Sequence, residues 1–451
     1  VIAVVNPPFA VNDEDVHLAR IYEIAEGRWL TRGDQEGEYH IVPSDYVALG
    51  HEYERVWQKP KGRVHVSRVY EQLTAGRPKE LVRRVGRAGS YPPLLYLPHV
   101  PALWLARQFD TSALVHLYMV RVAAFLAYAF LAYRAVLASG PFQWSFIVVG
   151  LTPMVLTQAA AVSGDGLVIG LTLLCLALLG KGIVSDRHTR GELASLSLSI
   201  AALALFKPPY VLLACAFPAL PWKDAEGRST AASAWLRWLF PLGCVLLAAG
   251  LYGGWSYLIR DLRAGPGGYD TPQQLIWLRE NYGQSFSILL LTFFKHGDEL
   301  LIESVLVRNK ISSLMRFAPA VAFVLHTQLA LGSAVGSAVK SFSGKPRARY
   351  FAAACLAIAS VGVVLALPAA FYLCCTSTGA PSIRVMQGRY FIPALPALLM
   401  ALALIGRPVL ARWLRARDGI RTFAVISLLN ALCLFCLIGW HYFPAKAQWP
   451  F

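Results

Sequence analysis

Apolar runs separated by short polar connections dominate this chain, apart from one long polar segment near its start. Runs over about 114–137, 142–162, 167–184, 193–206, 210–220, 236–258, 317–339, 350–372, 390–405 and 423–442 read as membrane spans. Residues 1–5 are apolar but too few to cross, and no Met precedes them. They read as the end of a truncated first span, which brings the expected total to about eleven. Two runs, 193–206 and 210–220, are short for a hydrocarbon core of ~30 Å. They flank Lys207-Pro208-Pro209 and read either as thin spans or as a broken pair, whose freed backbone groups protein or a water-filled cavity must satisfy. The pattern predicts an all-α polytopic membrane protein forming a single membrane domain over residues 1–451. It predicts a long first outer loop of amphipathic and interfacial helices over 9–112 and a second outer loop over 260–312.

Composition supports this. Hydrophobic residues make up 56% of the 451, charged residues 15%, and mean hydropathy is +0.49; a soluble domain carries ~25% charged residues. The net charge of +16 would suggest nucleic acid as a partner of a soluble chain. Here the positive-inside rule accounts for it, and no nucleic-acid partner is expected. With 9–112 placed outside, the arginine-rich connections at 340–349 and 407–421 fall inside, while the two large outer segments are neutral, with 14 basic against 14 acidic and 6 against 6 residues. The eight cysteines lie mostly within apolar runs and form no disulfide framework. Cys433 and Cys436 read as packing residues of a helix, and the adjacent pair Cys374-Cys375 is assigned no role.

This alternation collects polar groups at one outer face: Asp13, Glu14, His17, Ser163, Asp165, Lys207, Arg384 and Arg389. The first is the start of an amphipathic helix with Leu18, Ile21 and Ala25 on one side and Gly27 at its end. Asp13 is expected to cap that helix through its carboxylate, with Glu14 and Asp15 in the first turn. Asp13 and Glu14 are candidates for a catalytic base. Asp13-x-Asp15 also has a spacing that lets two carboxylates bracket a divalent cation. His17 shares the face of the acids one turn on. Ser163-Gly164-Asp165-Gly166 reads either as a turn or as a carboxylate reaching the same cavity. Lys207 is either a snorkelling lysine or a phosphate partner at a helix break. Arg389, in Gln387-Gly388-Arg389-Tyr390, runs against the charge bias, as does Arg384, and suits phosphate or carboxylate recognition. Arg121 lies inside a span, where arginine costs ~2.5–3.5 kcal/mol and so has a partner or a role. The stretch Tyr91-Pro92-Pro93-Leu94-Leu95-Tyr96, with the apolar run after it, fits an interfacial helix. Nucleotide-binding and serine-hydrolase motifs are missing.

The order of these motifs resembles the bacterial membrane proteins of domain-of-unknown-function family 2142. It is similar, more distantly, to C-type glycosyltransferases that use polyprenyl-phosphate sugars. The elements that carry it are Pro-Pro, then the acidic pair with His17 and Arg20 on a helix ending Ala-Glu-Gly, then Tyr-Pro-Pro-Leu-Leu-Tyr, Leu151-Thr152-Pro153-Met154, Ser163-Gly164-Asp165, Lys207-Pro208-Pro209-Tyr210 and Gln387-Gly388-Arg389-Tyr390. The resemblance implies a C-type glycosyltransferase-like fold and inverting transfer of a sugar from a polyprenyl-phosphate donor to a hydroxyl of a cell-envelope glycan or lipid. It implies the bacterial cytoplasmic membrane as location, with the site on the periplasmic side. On this chain it makes Asp13 or Glu14 the base. Asp15, His17, Arg20, Tyr91, Tyr96, Arg121, Asp165, Lys207, Tyr210, Arg384, Gln387, Arg389 and Tyr390 become supporting or donor-binding residues. Cofactor use stays open, Asp13, Asp15 and Asp165 being the residues for a divalent cation if one is used. The alternative reading is a transporter or flippase for lipid-linked sugars, for which internal repeats and midplane polar groups are expected.

Overall fold

A computed structural model describes residues 3, 6, 8–34, 37–58, 64–76, 80–222, 231–264, 271–305, 346–383, 386–405 and 425. The runs at 317–339 and, residue 425 apart, 423–442 lie outside these residues, as do Arg384, Cys433 and Cys436. The first segment opens with helix α1, Glu14–Ala25, followed by strands β1, Arg32–Asp34, and β2, Gly37–Pro43. Then come α2, Ser44–Gln58, α3, Val66–Thr74, strand β3, Leu81–Val85, a 3₁₀ turn at Pro93–Tyr96, and α4, Val100–Gln108. The membrane part contains α5, Ala113–Ala138, the broken pair α6, Gln143–Gly150, and α7, Pro153–Ala159, then α8, Asp165–Ser185, and α9, Arg190–Phe206. A long 3₁₀ stretch, Pro208–Ala219, precedes α10, Ala231–Leu258. Helices α11, Thr271–Glu280, α12, Tyr282–Val305, and α13, Pro346–Cys375, follow, and a 3₁₀ stretch, Gly388–Ala394, leads into α14, Leu395–Ile405.

Five helical segments among the described residues are long and apolar enough to cross a membrane, and six if the pair around residues 151–152, bent by 77°, counts as one. The remaining short run has a physical explanation. Pro208 and Pro209 forbid continuation of α9, and Lys207, as the residue before proline, is extended at φ −144° and ψ 98°. The 12 residues that follow adopt 3₁₀ geometry, whose rise of ~2 Å per residue stretches them to ~24 Å. At the other break, the Tyr128 hydroxyl donates to the Gly150 carbonyl at 2.6 Å, and the Thr152 hydroxyl accepts from Val155 N. The groups freed by the bend are thus satisfied inside protein.

The outer segment is not wholly helical. β1, β2 and β3 form a three-stranded antiparallel sheet, with Tyr39 opposite both Arg32 and Val85. The expected second outer loop is also structured: α12 runs through it and packs on Gly388–Ala394. α4 occupies the stretch read from the sequence as interfacial. Leu103 and Ala106 are buried, while Trp104, Leu105 and Phe109 are exposed on its opposite side.

In α1, Leu18 and Ile21 are fully buried, each contributing roughly 1.5–3 kcal/mol. Gly27, at φ 79°, ends the helix, with Gly27 N donating to Ile24 O and Arg28 N to Glu23 O. The membrane core is built by α5 along α8, α13 along Pro208–Ala219 and α14, and α9 along α10. Lys181 of α8 pairs with Glu192 of α9 at one end. At the other end the starts of α8 and of Gly388–Ala394 meet the end of α9, where the polar cavity lies.

Candidate functional site

Five separate stretches supply this cavity. Asn12, Asp13 and His17 come from the start of α1, and Tyr91 and Leu95 from the turn before α4. Ser163, Gly164, Asp165 and Val168 come from the start of α8, Phe206 and Lys207 from the end of α9, and Arg389 and Tyr390 from the last 3₁₀ stretch. The cavity encloses about 30 Å³, room for about one water, so a substrate enters only if its walls part.

The three acids after Asn12 go to three different places. Asp13 does not cap α1 through its side chain; its carbonyl accepts from His17 N at 3.0 Å instead. Its backbone is left-handed, at φ 67° and ψ 9°, a conformation aspartate tolerates better than most residues but still at a cost. That conformation turns the carboxylate to the cavity. Solvent reaches Asp13 through the mouth while protein surrounds it on most sides. Burial raises its pKa above the ordinary 3.8, Arg389 opposes this, and Asp15 and Asp165 add to it.

Glu14 turns the other way and is fully buried. Its carboxylate takes both forks of Arg121, with Nε donating to Oε1 at 2.9 Å and Nη2 to Oε2 at 2.6 Å, and also accepts from Val162 N at 2.8 Å. Arg121 further donates to the Asn6 carbonyl at 2.6 Å. The arginine inside α5 therefore has its partner, and the pair fastens the loop before α1 to α5 and to the turn before α8. Asp15 pairs with Arg84 of β3, away from the cavity. The acid triplet does not bracket a cation: Asp13 and Asp165 face the cavity and Asp15 does not. Among the described residues no three His, Cys, Asp or Glu side chains converge at metal-binding spacing.

Asp165 sits between two cations. Lys207 Nζ pairs with Oδ1, and Arg389 Nε lies 2.8 Å from Oδ2, close but angled away from a good hydrogen bond. Lys207 also stands 4.1 Å from the centre of the Tyr390 ring and Arg389 5.2 Å from it. The Tyr210 hydroxyl donates to the Tyr390 carbonyl at 2.9 Å, so Tyr210 supports the wall without lining it. Gln387, extended at φ −125° and ψ 145°, launches the 3₁₀ stretch and does not line the cavity. Gly388 is required there. A Cβ on it would lie 2.1 Å from the Leu300 carbonyl oxygen, and its N–H donates to Glu303 Oε2 at 3.0 Å.

His17 Nδ1 and the Tyr96 hydroxyl are 2.7 Å apart. Burial pushes the His17 pKa down to about 4, with Asp165 opposing, so its ring is neutral at neutral pH. Tyr96 is wholly buried behind it. Arg20, expected near the donor, is buried elsewhere, donating to the Arg28 and Trp29 carbonyls with Glu23 beside it. Its role is to hold the chain after α1. Asn12, Leu95 and Phe206 were not singled out from the sequence; only their neighbours carry recognisable chemistry.

These features define a helical membrane protein with a mixed-charge cavity at one end of its bundle. The chain belongs to the family described as predicted membrane proteins, DUF2142, whose model matches residues 1–398. No curated protein and no solved structure gives a significant match.

Proposed function

We propose that this protein is an inverting membrane glycosyltransferase that moves a sugar from a polyprenyl-phosphate donor to an acceptor hydroxyl. The observation that carries the reading is that one cavity is lined by two cations and by a carboxylate, that of Asp13, with no hydrogen-bond or ion-pair partner among the described residues. Asp13 accepts the proton of the acceptor hydroxyl, whose oxygen attacks the anomeric carbon. The bond from that carbon to the phosphate oxygen breaks, and the lipid phosphate leaves with the electron pair. Lys207 and Arg389 neutralise its charge, as fixed cations do for developing oxyanions. Asp165 has an oxygen committed to each cation, so it aligns them and is unsuited to take a proton. Glu14, with both oxygens bound to Arg121, is likewise spent, which leaves Asp13 as the base. Neutral His17, seated against Tyr96, supplies a polar contact beside Asp13 without adding charge. The site lies on the periplasmic side of a bacterial cytoplasmic membrane, and the acceptor is a cell-envelope glycan or lipid.

Purified protein incubated with a labelled polyprenyl-phosphate sugar and candidate acceptors tests this. Sugar transfer that is lost in Asp13→Asn and in Arg389→Ala, with both variants folded, is the expected result. Full activity in both would refute the site. Movement of the lipid across vesicles without cleavage would replace the enzyme by a flippase.

A further inference from the structure

α13 ends in a pair of cysteines outside the site just described. Cys374 and Cys375 lie at the same end of the bundle as the polar cavity, and their sulfurs are 2.9 Å apart. Neither is bridged to another cysteine. Cys374 is exposed, and the exposed polar residues Ser377 and Thr378 follow at once, so the pair sits at the water edge of its helix. Cys175, Cys244 and Cys355 are instead buried in the bundle.

Packing ties this turn to the cavity. Across the pair, the Thr376 hydroxyl donates to the Phe371 carbonyl at 3.0 Å. The Phe371 ring stacks on Tyr390, with centroids 5.0 Å apart and planes at 29°, and Tyr390 is the ring that Lys207 and Arg389 face. Cys375 is also within electrostatic reach of Arg87 and Tyr91, in the segment that supplies another wall. The far side of the turn is fixed. Gln274 of α11 donates to the Tyr372 carbonyl at 3.2 Å and accepts from Gly379 N at 3.2 Å, and the Tyr372 hydroxyl donates to the Ala380 carbonyl at 3.0 Å. A change at the cysteines is therefore taken up at Phe371.

A bond between these sulfurs is incompatible with an intact helix end. Helical neighbours point about 100° apart. Consecutive Cα atoms stand ~3.8 Å apart, below the ~4.4–6.8 Å of ordinary disulfides. Closing the bond unwinds the last turn of α13, and strained, exposed disulfides of this kind are the ones readily reduced again.

We propose that Cys374-Cys375 is a reversible oxidation site for a disulfide-bearing oxidant of the outer compartment, and that its oxidised form draws Phe371 off Tyr390. One thiolate attacks the oxidant's disulfide and expels a thiol. The other attacks the mixed disulfide at the protein sulfur and expels the second thiol. The cysteines lose two protons and two electrons, and the oxidant's disulfide becomes two thiols. The oxidation stands apart from the glycosyl-transfer reading; its consequence for turnover rests on that reading.

The purified chain in detergent, titrated with oxidised against reduced glutathione, acid-quenched, alkylated and mapped by mass, tests this. The expected result is a peptide holding 374–375 that is lighter by two hydrogens, carries no glutathione and regains both alkylation sites after dithiothreitol. Two alkylatable thiols at every ratio, or a glutathione adduct retained on one, would overturn the site. Hydrogen exchange reads the coupling. Amides of 371–376 in oxidised wild type should exchange about fivefold faster, the worth of one ordinary hydrogen bond, with no change in Cys375→Ser. Unaltered exchange in wild type overturns the coupling. Transfer should fall severalfold on oxidation in wild type and not in Cys375→Ser, and equal rates in both states of wild type overturn the effect on turnover. If neither state transfers, the glycosyl reading fails and the mass map still decides the site. If Cys375→Ser does not fold, wild type before and after dithiothreitol makes the same comparison.

Discussion

Two ion-pair clusters flank the start of α1, and they are built from the same chemistry to different ends. On one side Glu14 and Arg121 are both at 0% exposure and bind each other through both forks. On the other, Asp165 holds Lys207 and Arg389 with side chains 11–17% exposed at the rim of a cavity. The sealed pair leaves no room for a ligand and has every oxygen occupied. The rim cluster divides one carboxylate between two cations, all three lining a small cavity. Occupancy and access, more than residue type, separate architecture from site.

The sharpest way to break this comparison is to remove one partner of the sealed pair. Arg121→Ala leaves Glu14 charged and buried, and should cost ~3–5 kcal/mol of stability, read as a large drop in unfolding temperature in detergent. A folded, stable Arg121→Ala would place that pair outside the architecture. At the cavity, the effect should move from stability to turnover. Asp13→Asn should lower transfer ~10²–10⁴-fold, the usual worth of a general base, with unfolding unchanged; Glu14→Gln should show the reverse. If Glu14→Gln proves the silent folder and inactive enzyme, the roles of the two acids must be exchanged.

Acidity sharpens the contrast further. His99, buried near the start of α4 with its Nε2 unpartnered among the described residues, has its pKa lowered by burial to about 4 from 6.5. A lowered histidine pKa means that the unfolded chain takes the proton first. Stability is therefore full above pH 6.5 and is lost as pH falls towards 4, by roughly 3 kcal/mol over that window; a denaturation series against pH, flattened in His99→Phe, checks this. Asp13 has its pKa raised, chiefly by burial, so the acid limb of the transfer profile should lie above 3.8. The smallest effect belongs to Asp15, whose pair with Arg84 is about a quarter exposed. Asp15→Ala should cost at most ~1 kcal/mol and leave transfer unaltered.

Much of the site was legible because side assignment is a counting problem. Once the arginine-rich connections were placed on one side, Asp13, Asp165, Lys207 and Arg389 had to share the other, and they line one cavity. The break at Lys207 was legible because two prolines end a helix wherever they stand. The division of labour between Asp13 and Glu14 was not, since it depends on Arg121, 107 residues away, and on a left-handed residue that no local pattern demands. The sheet was hidden for another reason. Arg32–Asp34 is short and wholly exposed, so it carries no alternation to read.

Gly388 leaves so little space against the Leu300 carbonyl that the stretch bearing Arg389 and helix α12 cannot slide past one another. The guanidinium is thus placed by a contact with the end of α12, where Leu300, Glu303 and Ser304 meet Gly388. A side chain larger than hydrogen at 388 would push this stretch off α12 and draw the Arg389 guanidinium away from Asp165.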